Sequence, residues 1–178
     1  MTPEARVLIL PGWQNSGAAH WQTRWEQLHG FRRVEQSDWM WPRRGDWMAR
    51  LEEALLESDQ PAALVAHSLG CHLVSAWAAH TQHIDRVRGA LLVAPPDLEG
   101  IEPLPQLANW IPVVRNKLPF PSIVIHSQDD PFDPQVRAPT LAAQWGSSVQ
   151  SLATAGHING DSGLGDWASG FRWLQTLL

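Results

Sequence analysis

The sequence predicts an α/β fold, a three-layer α/β/α sandwich built around a parallel sheet. Short, wholly apolar runs recur along the chain, as strands buried on both faces require. Helical patterns of about ten residues separate them. At 178 residues the chain suits one domain, 1–178, with a substantial core. Strands alternating with helices imply right-handed crossovers and helices on both sheet faces.

The elements follow in order. Arg6–Leu10 is apolar after its first residue and reads as a buried strand. Residues 20–29 are expected to be helical, with Trp21, Trp25 and Leu28 on one face. Residues 31–35 read as a short strand and 46–56 as a helix with Trp47, Leu51, Ala54 and Leu55 inward. Residues 62–66 form the next strand, and Leu69–His80 a helix rich in small and apolar residues. The strand signature returns at 89–94 and 122–126. Residues 135–145 read as a helix, 149–152 as a last strand, and 166–178 as a closing helix striped by Trp167, Phe171, Leu174 and Leu178. Between 95 and 121, seven prolines exclude a long helix, and this segment is expected as a small cap over the site.

Composition removes several classes of function. A hydrophobic fraction of 44% with 17% charged residues fits a folded chain. A net charge of -5, with no Lys/Arg cluster longer than a pair, argues against nucleic acid as a partner. The start of the chain lacks the basic residues and long apolar core of a signal peptide. No apolar run reaches the roughly 20 residues of a membrane helix. The lone Cys71 offers neither a disulfide nor a CxxC knuckle. The expectation is a cytoplasmic protein without a membrane partner; no protein partner is indicated. The histidines lack metal-ligand spacing, so no metal is expected.

Chemistry concentrates in residues 64–73, LVAHSLGCHL. Ser68 lies at a strand-to-helix junction, two residues before Gly70 and two after Ala66, where the G-x-S-x-G pattern has Gly. Read alone, Ser68 is either a nucleophile on a strained turn or the N-cap of the following helix. As nucleophile it needs a base, and the base needs a carboxylate to orient it. Both follow in the order used by α/β-hydrolases. The strand at 122–126 runs into SQDDPFDP, and the strand at 149–152 into ATAGHINGD. Asp130 is the favoured acid, Asp129 the fallback and Asp133 a helix cap, while His157 is the base. Each falls at the carboxyl end of a strand, where parallel sheets bind ligands. The oxyanion donors expected are the backbone N–H groups of Leu69 and Trp13. Trp13, Trp39, Trp41 and Trp110 lie in loops near this site and are candidates for lining its pocket; the remaining tryptophans sit at helical spacing and read as core.

The stretches LILPGWQNSGAAHWQTRWE, VAHSLGC, SQDDPFDP and AGHING resemble, in this order, small serine hydrolases related to retinoblastoma-binding protein nine, a branch of the α/β-hydrolase superfamily. The resemblance spans essentially the whole chain. It implies a compact α/β-hydrolase fold with about six mostly parallel strands, little or no lid, and no cofactor. It also implies a Ser68, Asp130, His157 triad acting on a small-molecule ester or amide through an acyl-enzyme. Some members are associated with aminopeptidase-like activity. The other reading is a binding or scaffolding protein that keeps the fold without turnover; the intact set of three residues favours the enzyme.

Overall fold

A computed structural model describes residues 5–100, 102 and 104–178. Six strands, β1 (Arg6–Leu10), β2 (Arg32–Arg33), β3 (Ala62–His67), β4 (Val87–Val93), β5 (Ser122–Ser127) and β6 (Ser148–Leu152), form one sheet in the order β2-β1-β3-β4-β5-β6. Every neighbouring pair is parallel. The helices are α1 (Trp21–His29), α2 (Arg44–Leu56), α3 (Leu69–His80), α4 (Ala138–Trp145) and α5 (Ala168–Gln175).

The chain runs outward from β1 to β2, then crosses back to build β3 to β6 on the other side of β1. The order therefore reverses between β1 and β3, and loops leaving these two strands diverge to leave a crevice at their carboxyl ends. Leu10 is paired with Ala66 at the top of the two strands, so both loops leave the sheet at one level.

Alternate strand residues feed two core clusters, one on each face. Leu8, Leu10, Leu64, Ala66, Leu92 and Val124 pack with α2, α3 and α4, through Trp47, Trp77 and Trp145 among others. Val7, Ile9, Ala63, Val65, Leu91, Val93, Ile123 and Ile125 pack with α1 and α5, through Trp21, Trp25 and Leu174. This is the pattern of strands buried on both sides.

Several element bounds and faces differ from those the sequence predicts. In α1 the buried face turns toward Gln22, whose side-chain amide donates to Leu10 O and Val65 O, while Leu28 is exposed. β2 shrinks to two residues, with the Arg33 guanidinium turned to Glu26, Asn15 and Thr23. Val136 at φ 50° delays α4 to Ala138, and Trp167 at φ 45° delays α5 to Ala168. Segment 95–121 contains a short 3-10 helix, Pro105–Trp110, and Leu98, Trp110, Val113, Leu118 and Phe120 from it enter the core. Among the described residues, no helix is long and apolar enough to cross a membrane.

Asp133 anchors the start of α4. Its buried carboxylate accepts the N–H groups of Arg137 and Ala138 at 2.8 and 2.9 Å. Asp133→Ala leaves both amides without this acceptor, the Ala138 N–H in a buried position, and is expected to cost about 1–3 kcal/mol. Urea denaturation measures that loss, and an unchanged midpoint would remove Asp133 from the account of α4.

Candidate active site

Ser68 occupies the turn between β3 and α3 at φ 55°, ψ -121°. A non-glycine residue held at positive φ is costly and persists only where its surroundings impose it. Two glycines impose it. A Cβ on Gly70 would collide with the backbone oxygen of Leu10, and a Cβ on Gly12 would lie 2.9 Å from Ser68 Cβ and 3.1 Å from Leu69 N. Ala66, by contrast, is wholly buried and its side chain belongs to the α2–α3 core. The close backbone approach lies two residues after the serine, which is why alanine is accommodated two residues before it.

The Ser68 side chain caps nothing in α3. Its Oγ lies 2.9 Å from His157 Nε2, and His157 Nδ1 lies 3.0 and 2.9 Å from the two carboxylate oxygens of Asp130. Asp130 is 3% exposed and also accepts the Phe132 N–H at 2.8 Å. The three residues predicted from sequence thus form one hydrogen-bonded row, each supplied by a loop at a strand's carboxyl end. Asp129 does not touch His157. It accepts the Ser127 hydroxyl and the Gly156 N–H, bonds that hold its carboxyl below the usual carboxylate range. Ser127 Oγ in turn accepts the Ala155 N–H, so the acid loop is laced to the loop that carries His157.

A second row, absent from the sequence reading, reaches His157 from the other side. His67 Nε2 lies 2.8 Å from the His157 carbonyl, an acceptor only, so this nitrogen carries the proton. His67 Nδ1 then accepts from His20 Nε2 at 3.3 Å, and His20 Nδ1 accepts the Gln22 N–H at 3.1 Å. Burial pushes His20 down to about 3, with Arg33 and His157 adding to the effect, and pushes His67 well below the usual histidine range. Both rings are neutral at pH 7. They lie 47 residues apart, and only the turn at Ser68 and the cap of α1 bring them together.

A cleft of about 380 Å³ opens over Ser68. Trp13, Leu98, Leu104, Leu107 and Phe132 make its apolar side, and Phe132 lies against His157 at a ring distance of 4.5 Å. Gln14, Asn15 and Asn159 make its polar side. Leu69 and Trp13, the expected oxyanion donors, both line it. Of the four candidate pocket tryptophans only Trp13 does. Trp39 and Trp110 pack edge-on against Trp47 at 5.4 and 5.5 Å, drawn into the α2 core. Trp41 is 55% exposed and borders a different depression near α2. The Trp13 indole N–H donates to Met40 O, pinning the two loops while their tryptophans diverge. Among the described residues, no group of His, Cys, Asp or Glu is arranged to hold a metal ion.

A six-stranded parallel sheet with a strained serine after its third strand is an α/β-hydrolase fold, and comparison with known proteins agrees. The chain belongs to the serine hydrolase family, whose sequence model matches residues 7–176. Among solved structures it is similar to a YdeN-like hydrolase from Pectobacterium atrosepticum, with 26% identity and a TM-score of 0.85 over 98% of this chain and 93% of that one. It is also similar to the ydeN product of Bacillus subtilis, with 23% identity and a TM-score of 0.75 over 98% of each chain. The carboxylesterase CesB of the same organism shares the fold at 14% identity, with a TM-score of 0.63 over 99% of this chain and 84% of that one. No curated protein sequence matches it.

Two tests follow from the packing. Gly70→Ala forces a methyl group against the Leu10 carbonyl and is expected to destabilise by about 1–3 kcal/mol, whereas Ala66→Gly only loosens a strand, by about 0.5–1 kcal/mol; equal losses would contradict the asymmetry of the turn. The buried histidines are expected to make the fold acid-labile. Their folded pKa values lie below the unfolded value, so their stabilisation is complete above about pH 6.5 and is lost as pH falls toward the folded values near 3 to 4 for His20 and His72. Each is expected to remove on the order of 1–2 kcal/mol between pH 7 and pH 5. His20→Asn keeps a capping acceptor for α1 and should flatten the slope measured by urea titration at the two pH values.

Proposed function

We propose that this protein hydrolyses small carboxylic esters or amides, with Ser68 as nucleophile, His157 as base and Asp130 as orienting acid. The observation that carries the reading is the uncapped, strained Ser68 with its Oγ 2.9 Å from His157 Nε2. A helix cap needs neither that strain nor that partner. The kinship with hydrolases related to retinoblastoma-binding protein nine, the cytoplasmic setting and the lack of any cofactor requirement belong to this same reading.

In the proposed cycle His157 Nε2 takes the Ser68 proton as Oγ bonds to the substrate carbonyl carbon. The carbonyl π electrons move to oxygen, which turns to the N–H groups of Leu69 and Trp13. Collapse of the tetrahedral species breaks the bond to the leaving group, which takes the proton from His157. An acyl ester on Ser68 remains. Water attacks it with His157 again as base, releasing the acid and restoring the serine. Asp130 holds the proton on Nδ1 and stabilises the imidazolium. Each oxyanion donor is worth about 3 kcal/mol in such sites. Segment 95–121 borders the cleft with Leu98, Leu104 and Leu107, and serves as its cap.

A non-catalytic protein that retains the fold is the competing reading. A fluorophosphonate probe separates the two: wild type is expected to be labelled and Ser68→Ala not. A folded wild type that resists the probe sinks the enzymatic reading. Asp130→Asn is expected to lower kcat by about 10³–10⁴. Asp129→Asn, which loosens a loop without touching the base, should cost about tenfold or less. The opposite ranking would reassign the acid.

A further inference from the structure

We infer that the cleft over Ser68 takes an uncharged ester with an apolar acyl chain and rejects acyl groups that carry a free ammonium or carboxylate. This rests on the hydrolase reading and narrows it. Among the described residues, the side chains bordering the cleft include no Asp, Glu, Lys or Arg. Its polar groups are the amides of Gln14, Asn15 and Asn159 and the site histidines.

The charged groups close by are committed elsewhere. Asp130 is taken by His157 and the Phe132 N–H, and Asp129 by Ser127 and Gly156. Arg33 is held by Glu26, Thr23 and Asn15. Leu98 borders both the cleft and a neighbouring cavity, and Asp97 and Glu99 line only the latter, where they pair with Arg137 and Arg115. An aminoacyl substrate would bring an ammonium into a partly desolvated space with no carboxylate among the described residues that line it, which is unfavourable. A terminal carboxylate would meet no Lys or Arg among them. An alkyl chain meets Leu98, Leu104, Leu107 and Phe132 and leaves water. The volume, about 380 Å³, lies near the lower end of small-molecule sites, so the acyl chain is short to medium.

Two matched substrate pairs test this. The 4-nitrophenyl esters of pentanoate and of hydrogen glutarate differ by a terminal charge, and the 4-nitroanilides of 4-methylpentanoate and of leucine differ by an α-ammonium. In each pair the neutral member is expected to have a kcat/KM higher by roughly 10- to 100-fold. From acetate to pentanoate the ester series should rise by roughly three- to fourfold per methylene. Leu104→Arg, at a partly exposed position on the cleft, should shift preference toward hydrogen glutarate by at least about tenfold. Fluorophosphonate labelling of Ser68 is measured in parallel. Labelled enzyme that prefers either charged member, or cleaves none of these compounds, overturns the neutral-ester inference. Absence of labelling in folded protein overturns the hydrolase reading beneath it.

Discussion

The site depends on one close approach of backbone to backbone, between the end of β1 and the turn after β3. Gly70 passes so near the Leu10 carbonyl that no side chain fits, and Gly12 lies close against Ser68, though less tightly. Pairing of Leu10 with Ala66 brings the two ends to the same height. The chain then has no room to enter α3 through an ordinary cap. It turns through Ser68 at positive φ, and that conformation lifts the hydroxyl off the helix axis and into the crevice. The strain is imposed by glycine contacts on either side of the serine, and the register of β1 against β3 supports it.

With the serine so placed, the remaining problem is to bring a histidine from beyond β6 to a hydroxyl beyond β3, across two intervening strands. The loop that carries His157 has little regular structure, yet it is tied from both sides. Asp129 and Ser127 take the amides of Gly156 and Ala155, and His67 donates to the carbonyl of His157 itself. The ring therefore does not rely on Asp130 alone for its position. Asp129, which reads in the sequence as an alternative acid, holds the histidine loop while its neighbour meets the ring. Phe132, in the same loop as Asp130, lies against the imidazole.

Much of this was legible in the sequence because it is local. The buried strands are continuous apolar runs, the serine stands at a strand-to-helix junction, and the acid and histidine follow later strands. What escaped depends on where loops travel in space. Trp39 and Trp110 carry no local mark that they will close on Trp47 instead of facing the cleft. His20 and His67 are unremarkable until α1 and β3 are packed, and then each supplies the other's hydrogen-bond partner. Helix starts shifted where a single side chain or φ outweighed periodicity, as at Asp133 and Trp167. The alanine at 66 departs from the familiar pattern, yet the packing shows that the steric demand falls on Gly70.

The neutral histidine row also bears on the electrostatics of the proposed cycle. During attack a positive charge develops on His157 and a negative one near the Leu69 and Trp13 amides. A cation at His67, with its ring centroid 4.9 Å from that of His157, would oppose the imidazolium in a low-dielectric setting. Burial and the directed chain from Gln22 through His20 to His67 remove that possibility near neutral pH. The row delivers a hydrogen bond to the His157 backbone without delivering a charge. In the proposed cycle Asp130 is then the partner of the ring, and the developing imidazolium is stabilised by it without competition from behind. The same economy of charge extends into the cleft, where amides and apolar side chains replace ionised groups. A site arranged in this way is responsive to charge created by the reaction and poorly suited to charge already carried by the substrate.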